Sequence, residues 1–198
     1  MALCSVGAAL AEDAQTSSTD GLLRWGTVDG FIYENTTLGY GCVLENWTFA
    51  DEDDLAMKNG WTEDILSDDA RALLDSATAV IDMYAVSEDG MTNANIRFQK
   101  INAFYGALLT EEDIVDANIA DLPEMLAQLG HTDLAIEKAT IRLGEDEHVG
   151  FAASSTYMGL PFYQAQVSVL CGDYVAFVCA TSFLANNTDE VLANFYAL

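Results

Sequence analysis

The strongest constraint on the fold is a pair of apolar segments in the last third of the chain. Residues 162–171 and 174–182 alternate between inward and outward positions and are rich in β-branched and aromatic side chains. Only Gly172 and Asp173 separate them, and a two-residue connection that contains glycine favours a tight β-hairpin. The sequence therefore predicts two long antiparallel strands that lie side by side.

Hydrophobic patterning and turn signals predict the other elements of the chain. Further strands are predicted at residues 31–33, 38–44, 80–86, 94–99, 134–143 and 147–155. Helices are predicted at residues 51–59, 63–76, about 110–130, and from 187 to 198. Asp51 and Thr110 each precede an acidic first turn, which suits an N-cap and the positive end of the helix dipole. Pro123 predicts a kink or a restart in the third helix.

The order of these elements predicts the fold class. Strands come in consecutive runs with helices between the runs, which is typical of α+β proteins. The strands of the predicted hairpin are apolar on both faces, so we expect their sheet to be covered on both sides. We therefore expect a three-layer α/β/α sandwich around an antiparallel sheet of about five to seven strands. No internal repeat or Pro-rich linker is present, which predicts a single domain over residues 27–198.

Residues 1–26 are expected to be a signal remnant and a disordered tail. Residues 1–11 form a small apolar run that ends in an A-x-A pattern, and residues 12–20 are polar. This layout is typical of a secretory signal. Cys4 offers a second route of export, in which that cysteine carries a lipid. Cleavage after Ala11 and lipidation of Cys4 both stay open, and both predict an extracytoplasmic protein that is secreted or anchored at the cell surface.

The charge of the chain excludes some classes of partner. There are 32 Asp and Glu residues against 7 Lys and Arg residues, which gives a formal net charge of −25. Such a surface repels nucleic-acid phosphates and anionic lipid headgroups. We therefore expect an unknown protein or surface partner, no nucleic acid, and contact with a membrane only through a lipid anchor at Cys4. An acidic decoy for a basic partner is a second interpretation of the same charge.

The cysteines of the domain are predicted to form no disulfide. They are Cys42, Cys171 and Cys179, and no two of them have a CxxC spacing. In the hairpin register Cys171 lies opposite Tyr174 and Cys179 lies opposite Gln166. That register places the two hairpin thiols too far apart for a bond. All three are interpreted as small buried core residues.

No residue is put forward as catalytic, cofactor-binding or metal-ligating, and no cofactor is expected. His131 follows a predicted helix end and His148 precedes a predicted strand, and neither has ligand spacing with another His or Cys. Ser154 and Ser155 lie in an apolar strand without a third group for a triad. Acidic pairs are too frequent to single out an acid and a base. A carboxylate-based hydrolase therefore stays open as an alternative.

The order of elements resembles that of PsbP-like proteins, in particular the branch of uncharacterised Gram-positive secreted proteins and lipoproteins. The similar segments are residues 33–35, 38–40, 45–47, 82–85, 160–164 and 172–174, within a resemblance that covers about residues 27–198. Glu45 and Asn46 stand where the family usually has a proline before the residue that matches Trp47. The resemblance implies an α/β/α sandwich without a shared catalytic motif. Because most characterised members bind partners or stabilise assemblies, it also implies an exported, non-enzymatic binding or assembly module at the bacterial cell surface.

Overall fold

The computed structural model describes residues 24–60, 74, 77–101 and 108–198, and these ranges are dominated by β-strands. The strands are β1 Thr27–Asp29, β2 Ile32–Asn35, β3 Tyr40–Val43, β4 Trp47–Phe49, β5 Ala79–Ser87, β6 Thr92–Lys100, β7 His131–Leu143, β8 Asp146–Tyr157, β9 Leu160–Cys171, β10 Tyr174–Phe183 and β11 Phe195–Ala197. The helices in the described ranges are α1 Glu52–Lys58, α2 Glu111–Gln128 and α3 Thr188–Leu192. None of these helices is both long and apolar enough to cross a lipid bilayer.

The strands form two antiparallel sheets. The larger sheet has the order β4-β5-β6-β10-β9-β8-β7, and the smaller sheet has the order β1-β2-β3-β11. The predicted hairpin is confirmed, because β9 and β10 pair with Cys171 opposite Tyr174 and Cys179 opposite Gln166. All three domain cysteines have free thiols, as predicted. The last third of the chain is therefore a meander of neighbouring strands that ends at the edge strand β7.

The prediction of a three-layer α/β/α sandwich is wrong. One face of the larger sheet is covered by α2, whose Leu122 and Leu126 pack against Phe151. The smaller sheet packs against the opposite face, where Tyr33 belongs to the same core cluster as Val178. The two-sided apolar pattern correctly indicated a covered sheet. The pattern indicates only that each face of the sheet is covered by apolar side chains, however, and a second sheet can supply these as well as a helix can.

The prediction of a final helix over residues 187–198 is wrong as well. α3 ends at Leu192, and the chain then enters β11, where Phe195 lies opposite Cys42 of β3. Phe195 is almost fully buried in the main core. A short apolar run suits either state, and its pairing with a distant strand decides the outcome. Except for Leu74, the helix predicted over residues 63–76 lies outside the described residues, and so do residues 1–23 of the predicted tail.

The predicted N-caps are confirmed. The side chain of Asp51 accepts a hydrogen bond from the backbone N–H of Asp54 at the start of α1. Thr110 and Asp113 form a reciprocal capping box at the start of α2. α2 runs without a restart through Pro123 to Gln128, so the helix presents one continuous face to the larger sheet.

A buried carboxylate ties the smaller sheet to the larger one. Asp82 lies at a bulge in β5 and is fully buried. It accepts hydrogen bonds from the backbone N–H groups of Trp25 and Gly26, from the Tyr33 hydroxyl at 2.5 Å and from the Asn35 amide at 2.8 Å. Burial and the negative charge of Asp82 together hold the pKa of Tyr33 well above its ordinary value. Because a buried carboxylate is tolerated only when its oxygens are bonded, these contacts fix the segment before β1 and strand β2 against β5.

Candidate functional site

A cleft of about 1140 Å³ opens between the region of α3 and the outer half of the larger sheet. Its floor consists of β7, β8 and β9, and its rim includes Gly144 and residues around α3. The floor is recessed because its side chains are small. Ala152 of β8 lies opposite Glu137 of β7 and Ala165 of β9, and the next position on the same face is Ser154. Small side chains on one face of a sheet leave space that a short neighbouring helix does not fill.

The charged residues that line the cleft are mostly acidic. Three acidic residues are among those that line it, Glu137, Glu147 and Asp189. Glu147 lies opposite Arg142 on the face of β8 that also carries Phe151, so Glu137 and Asp189 are the acidic groups on the face of the cleft floor. Arg142 is the only cation among the lining residues, and its guanidinium lies 3.5 Å from a carboxylate oxygen of Glu147. Tyr163 lies opposite Ser154 and adds an aromatic surface to the floor. The cleft therefore combines an acidic rim with a shallow floor of small and aromatic side chains.

A second group of residues has the order of a catalytic relay, in which a carboxylate, an imidazole and a hydroxyl follow one another. The Nδ1 atom of His148 lies 3.3 and 3.4 Å from the two carboxylate oxygens of Glu111. Its Nε2 atom lies 3.0 Å from the hydroxyl of Tyr40, and that hydroxyl donates to Asp146 at 2.6 Å. No role was put forward for His148 from the sequence, and its neighbours in the chain give no sign of these partners. The reason is separation, because Glu111 and Tyr40 lie 37 and 108 residues away from His148.

The state of the Tyr40 hydroxyl does not suit a nucleophile. Burial, followed by the hydrogen bond to Asp146, raises the pKa of Tyr40 far above its ordinary value, so its hydroxyl stays neutral. The Tyr40 hydroxyl donates its proton to Asp146, so that proton is not directed to the Nε2 atom of His148. The histidine therefore does not stand as a base toward this hydroxyl.

The position of the group indicates a structural role. Pairing between β8 and β9 stops at Gly150 and Val167, and His148 lies beyond that point. Glu111 begins α2 on one side of the larger sheet, and Tyr40 belongs to the smaller sheet. The hydrogen bonds therefore link α2, β8 and β3 where the larger sheet opens.

His131 is buried in an aromatic cluster at the far end of the same strands. Its ring stacks on Tyr157 at 4.5 Å and meets the edge of Phe162 at 4.7 Å, and its Nδ1 atom lies 2.8 Å from the Ser155 hydroxyl. Burial lowers the pKa of His131, which favours the neutral ring. Within the described ranges no carboxylate is hydrogen-bonded to His131. The pair of Ser155 and His131 therefore lacks the third member of a triad.

A smaller pocket of about 400 Å³ lies between α3 and the turn that joins β5 to β6. It is lined by Trp47 and by several acidic and amide side chains, among them Glu88 and Glu190. The part of the chain that the structure describes contains no group of three or more His, Cys, Asp or Glu side chains placed to hold a metal ion. Trp25 does not line this pocket and packs instead against Phe98 and Tyr174, at ring distances of 5.0 and 5.1 Å.

Comparison with known proteins assigns the chain to no family. No family model matches it, and no curated protein matches it. Among solved structures, a crystal structure from Bacteroides thetaiotaomicron VPI-5482 is similar, with 12% sequence identity and a TM-score of 0.44. The match covers 86% of this chain and 49% of that one, so the chain spans about half the length of its structural neighbour. The fold and the site thus describe a two-sheet β protein with an acidic cleft.

Proposed function

We propose that the chain is an exported, non-enzymatic module that binds a protein partner through the cleft between α3 and strands β7–β9. The observation that carries the proposal is the cleft itself. It is large enough for several side chains of a partner, and it offers a tyrosine and acidic groups above a floor of small residues. Sites with apolar floors and a few polar groups at the rim are typical of binding surfaces. The pattern of residues 1–26 supports a place outside the cytoplasm.

The arrangement of the acidic groups favours binding over hydrolysis. Glycoside hydrolysis by carboxylates needs two acids in different environments, one of them shielded from water. Glu137, Glu147 and Asp189 are all exposed, so water screens their charges. The histidines and hydroxyls that lie within hydrogen-bond distance of one another, at Tyr40 and His148 and at Ser155 and His131, are occupied in contacts that hold the fold together. A carboxylate-based hydrolase therefore has less support than a binding module.

The test is selection of binders with and without an open cleft. Linear peptides from a displayed random library are selected on the full chain, and each selected peptide is then measured against Ala152→Trp and Met57→Trp. Ala152 lines the floor of the cleft, whereas Met57 is 73% exposed on α1, so the control adds the same side chain elsewhere. We expect the tryptophan at position 152 to weaken binding at least about tenfold and the control to leave it unchanged. Peptides that bind both variants equally well, or a selection without binders, would show the proposal to be wrong.

A further inference from the structure

The outer edge of β7 offers a row of free backbone groups beside the cleft. β7 pairs only with β8, and it is the last strand of the larger sheet. Apart from the ladder with β8, no backbone group of residues 133–143 has a hydrogen-bond partner among the described residues. In a strand every second residue directs its N–H and C=O to the same edge. Roughly four residues of the regular part of β7 therefore present unpaired groups over a length of about 30 Å.

This edge has little of the protection that exposed edges usually have. Natural proteins block such edges with prolines, bulges or outward-pointing lysines. In β7 the bulge lies between Thr132 and Ala135, and pairing is regular from Ala135 to Leu143. Lys138, the lysine of this part, is held by Glu112 and Asp116 of α2 at 2.8 and 2.7 Å. Its charge is thus directed to the helix and does not guard the edge.

Acidic residues beside the edge of β7 favour a positively charged binding partner. Ala135 and Arg142 mark the two ends of the part of β7 that lines the cleft. Among the acidic residues, Glu137 of β7 and Asp189 of α3 line the same cleft on the face of the sheet opposite Phe151. An incoming strand would place alternate side chains toward this acidic face. Basic side chains would be attracted there, whereas a second copy of this chain, with a formal net charge of −25, would be repelled.

We propose that the occupant of the cleft is an extended basic peptide segment, which adds to the edge of β7 as an eighth strand of the larger sheet. The inference rests on the proposed binding function and names the class of partner and the mode of contact. Backbone hydrogen bonds to β7 supply the affinity, and alternate basic side chains near Glu137 and Asp189 supply the selectivity.

The test uses three synthetic ten-residue peptides with the full chain. The first alternates lysine and threonine, the second alternates glutamate and threonine, and the third is the lysine peptide with every backbone amide N-methylated. Amide hydrogen exchange is followed by NMR. At a peptide concentration of about 100 times its Kd, we expect the lysine peptide to slow exchange at alternate residues between 135 and 143 by about 100-fold. The methylated and glutamate peptides should bind at least about tenfold more weakly, because each lacks one of the two contributions.

Other outcomes overturn the inference in distinct ways. Equal binding of the methylated peptide would mean that charge alone attracts it, and equal binding of the glutamate peptide would exclude a basic occupant. Slow exchange of β7 that depends on protein concentration without peptide would assign the edge to a second copy. If library peptides lose binding to Ala152→Trp but leave β7 exchange unchanged, strand addition fails while the proposed function stands. If no binder depends on Ala152, the proposed function fails.

A pair of charge variants tests independently whether the lysine peptide contacts the acidic residues of the cleft. Glu137→Gln removes a carboxylate that lines the cleft, and Glu145→Gln removes an exposed carboxylate outside it. We expect the first variant to weaken binding of the lysine peptide by about twofold to fivefold at low salt and the second to leave it unchanged. Equal effects of the two variants would mean that the net charge of the whole molecule attracts the peptide, and they would contradict a defined site.

Discussion

Asp82→Asn tests the buried tie between the two sheets. The carboxylate receives Gly26 N–H at 3.0 Å, the Tyr33 hydroxyl at 2.5 Å and the Asn35 amide at 2.8 Å on one oxygen, and Trp25 N–H on the other. Asparagine has nearly the same shape, but it presents one oxygen and one NH₂ group. Whichever way the amide turns, at least one donor then faces another donor.

The expected cost follows from these contacts. A hydrogen bond to a charged acceptor contributes about 1.5–3 kcal/mol, and leaving its donor unsatisfied in the interior costs about 1–3 kcal/mol. One bond is lost outright in the variant, and the other three become bonds to a neutral acceptor. The amide is less costly to bury than the carboxylate, which offsets part of this loss. We therefore expect the free energy of unfolding of Asp82→Asn to fall by about 3 kcal/mol.

Urea denaturation at pH 7, followed by tryptophan fluorescence, measures this change. Asp29→Asn is the matched control, because Asp29 is exposed on β1 and its replacement should alter the free energy of unfolding by less than about 0.5 kcal/mol. A double-mutant cycle of Asp82→Asn with Tyr33→Phe should give a coupling energy of about 1–2 kcal/mol. A loss below about 1 kcal/mol together with a coupling near zero would refute the reasoning.

Two further predictions concern packing and pH. A Cβ atom at Gly144, where φ is +63°, would lie 2.3 Å from the carbonyl oxygen of Phe195, so we expect Gly144→Ala to lower the free energy of unfolding by about 3 kcal/mol. Gly172, at φ +61°, has open space around it, so Gly172→Ala should lower that free energy by only about 1 kcal/mol. Equal urea midpoints for the two variants would contradict the contact at Gly144. The raised pKa of Tyr40 means that the unfolded chain releases the Tyr40 hydroxyl proton near pH 10, whereas the folded chain keeps it. The stability that Tyr40 contributes is therefore fully present below pH 10 and is lost as the pH rises toward the pKa of the folded state. Between pH 10 and 11 the free energy of unfolding should therefore fall more steeply with pH in the native chain than in Tyr40→Phe, by up to about 1.4 kcal/mol per pH unit. Urea denaturation at several pH values measures both slopes, and equal slopes would show that Tyr40 is not shielded from water.

Elements that depend on local signals could be predicted from the sequence. The hairpin around Gly172 and Asp173 has the predicted register, because a two-residue turn determines which residues pair. The capping residues Asp51 and Thr110 were also predicted correctly, because a cap involves only the residues of the next turn. In each case the interacting groups are close together in the chain.

Features that depend on distant contacts could not be predicted. β11 pairs Phe195 with Cys42, and no local signal distinguishes that strand from the end of a helix. The cleft is invisible in the sequence for a related reason. Small residues such as Ala152 and Ser154 could equally well pack under a neighbouring layer, and only the position of α3 leaves them partly uncovered. The polar contacts of His148 likewise depend on residues from two other elements.

The pairing of β3 with β11 also sets the earliest point at which the smaller sheet can be completed. β1, β2 and β3 leave the ribosome early, but β3 gains its second neighbour only when residues 195–197 have been made. Closing a loop of this length is slow compared with forming neighbouring hairpins. The meander of β7 to β10 needs only contacts between consecutive segments and can form as soon as it is synthesised. β1, β2 and β3 can pair with one another early, but the smaller sheet is complete only when β11 has been made.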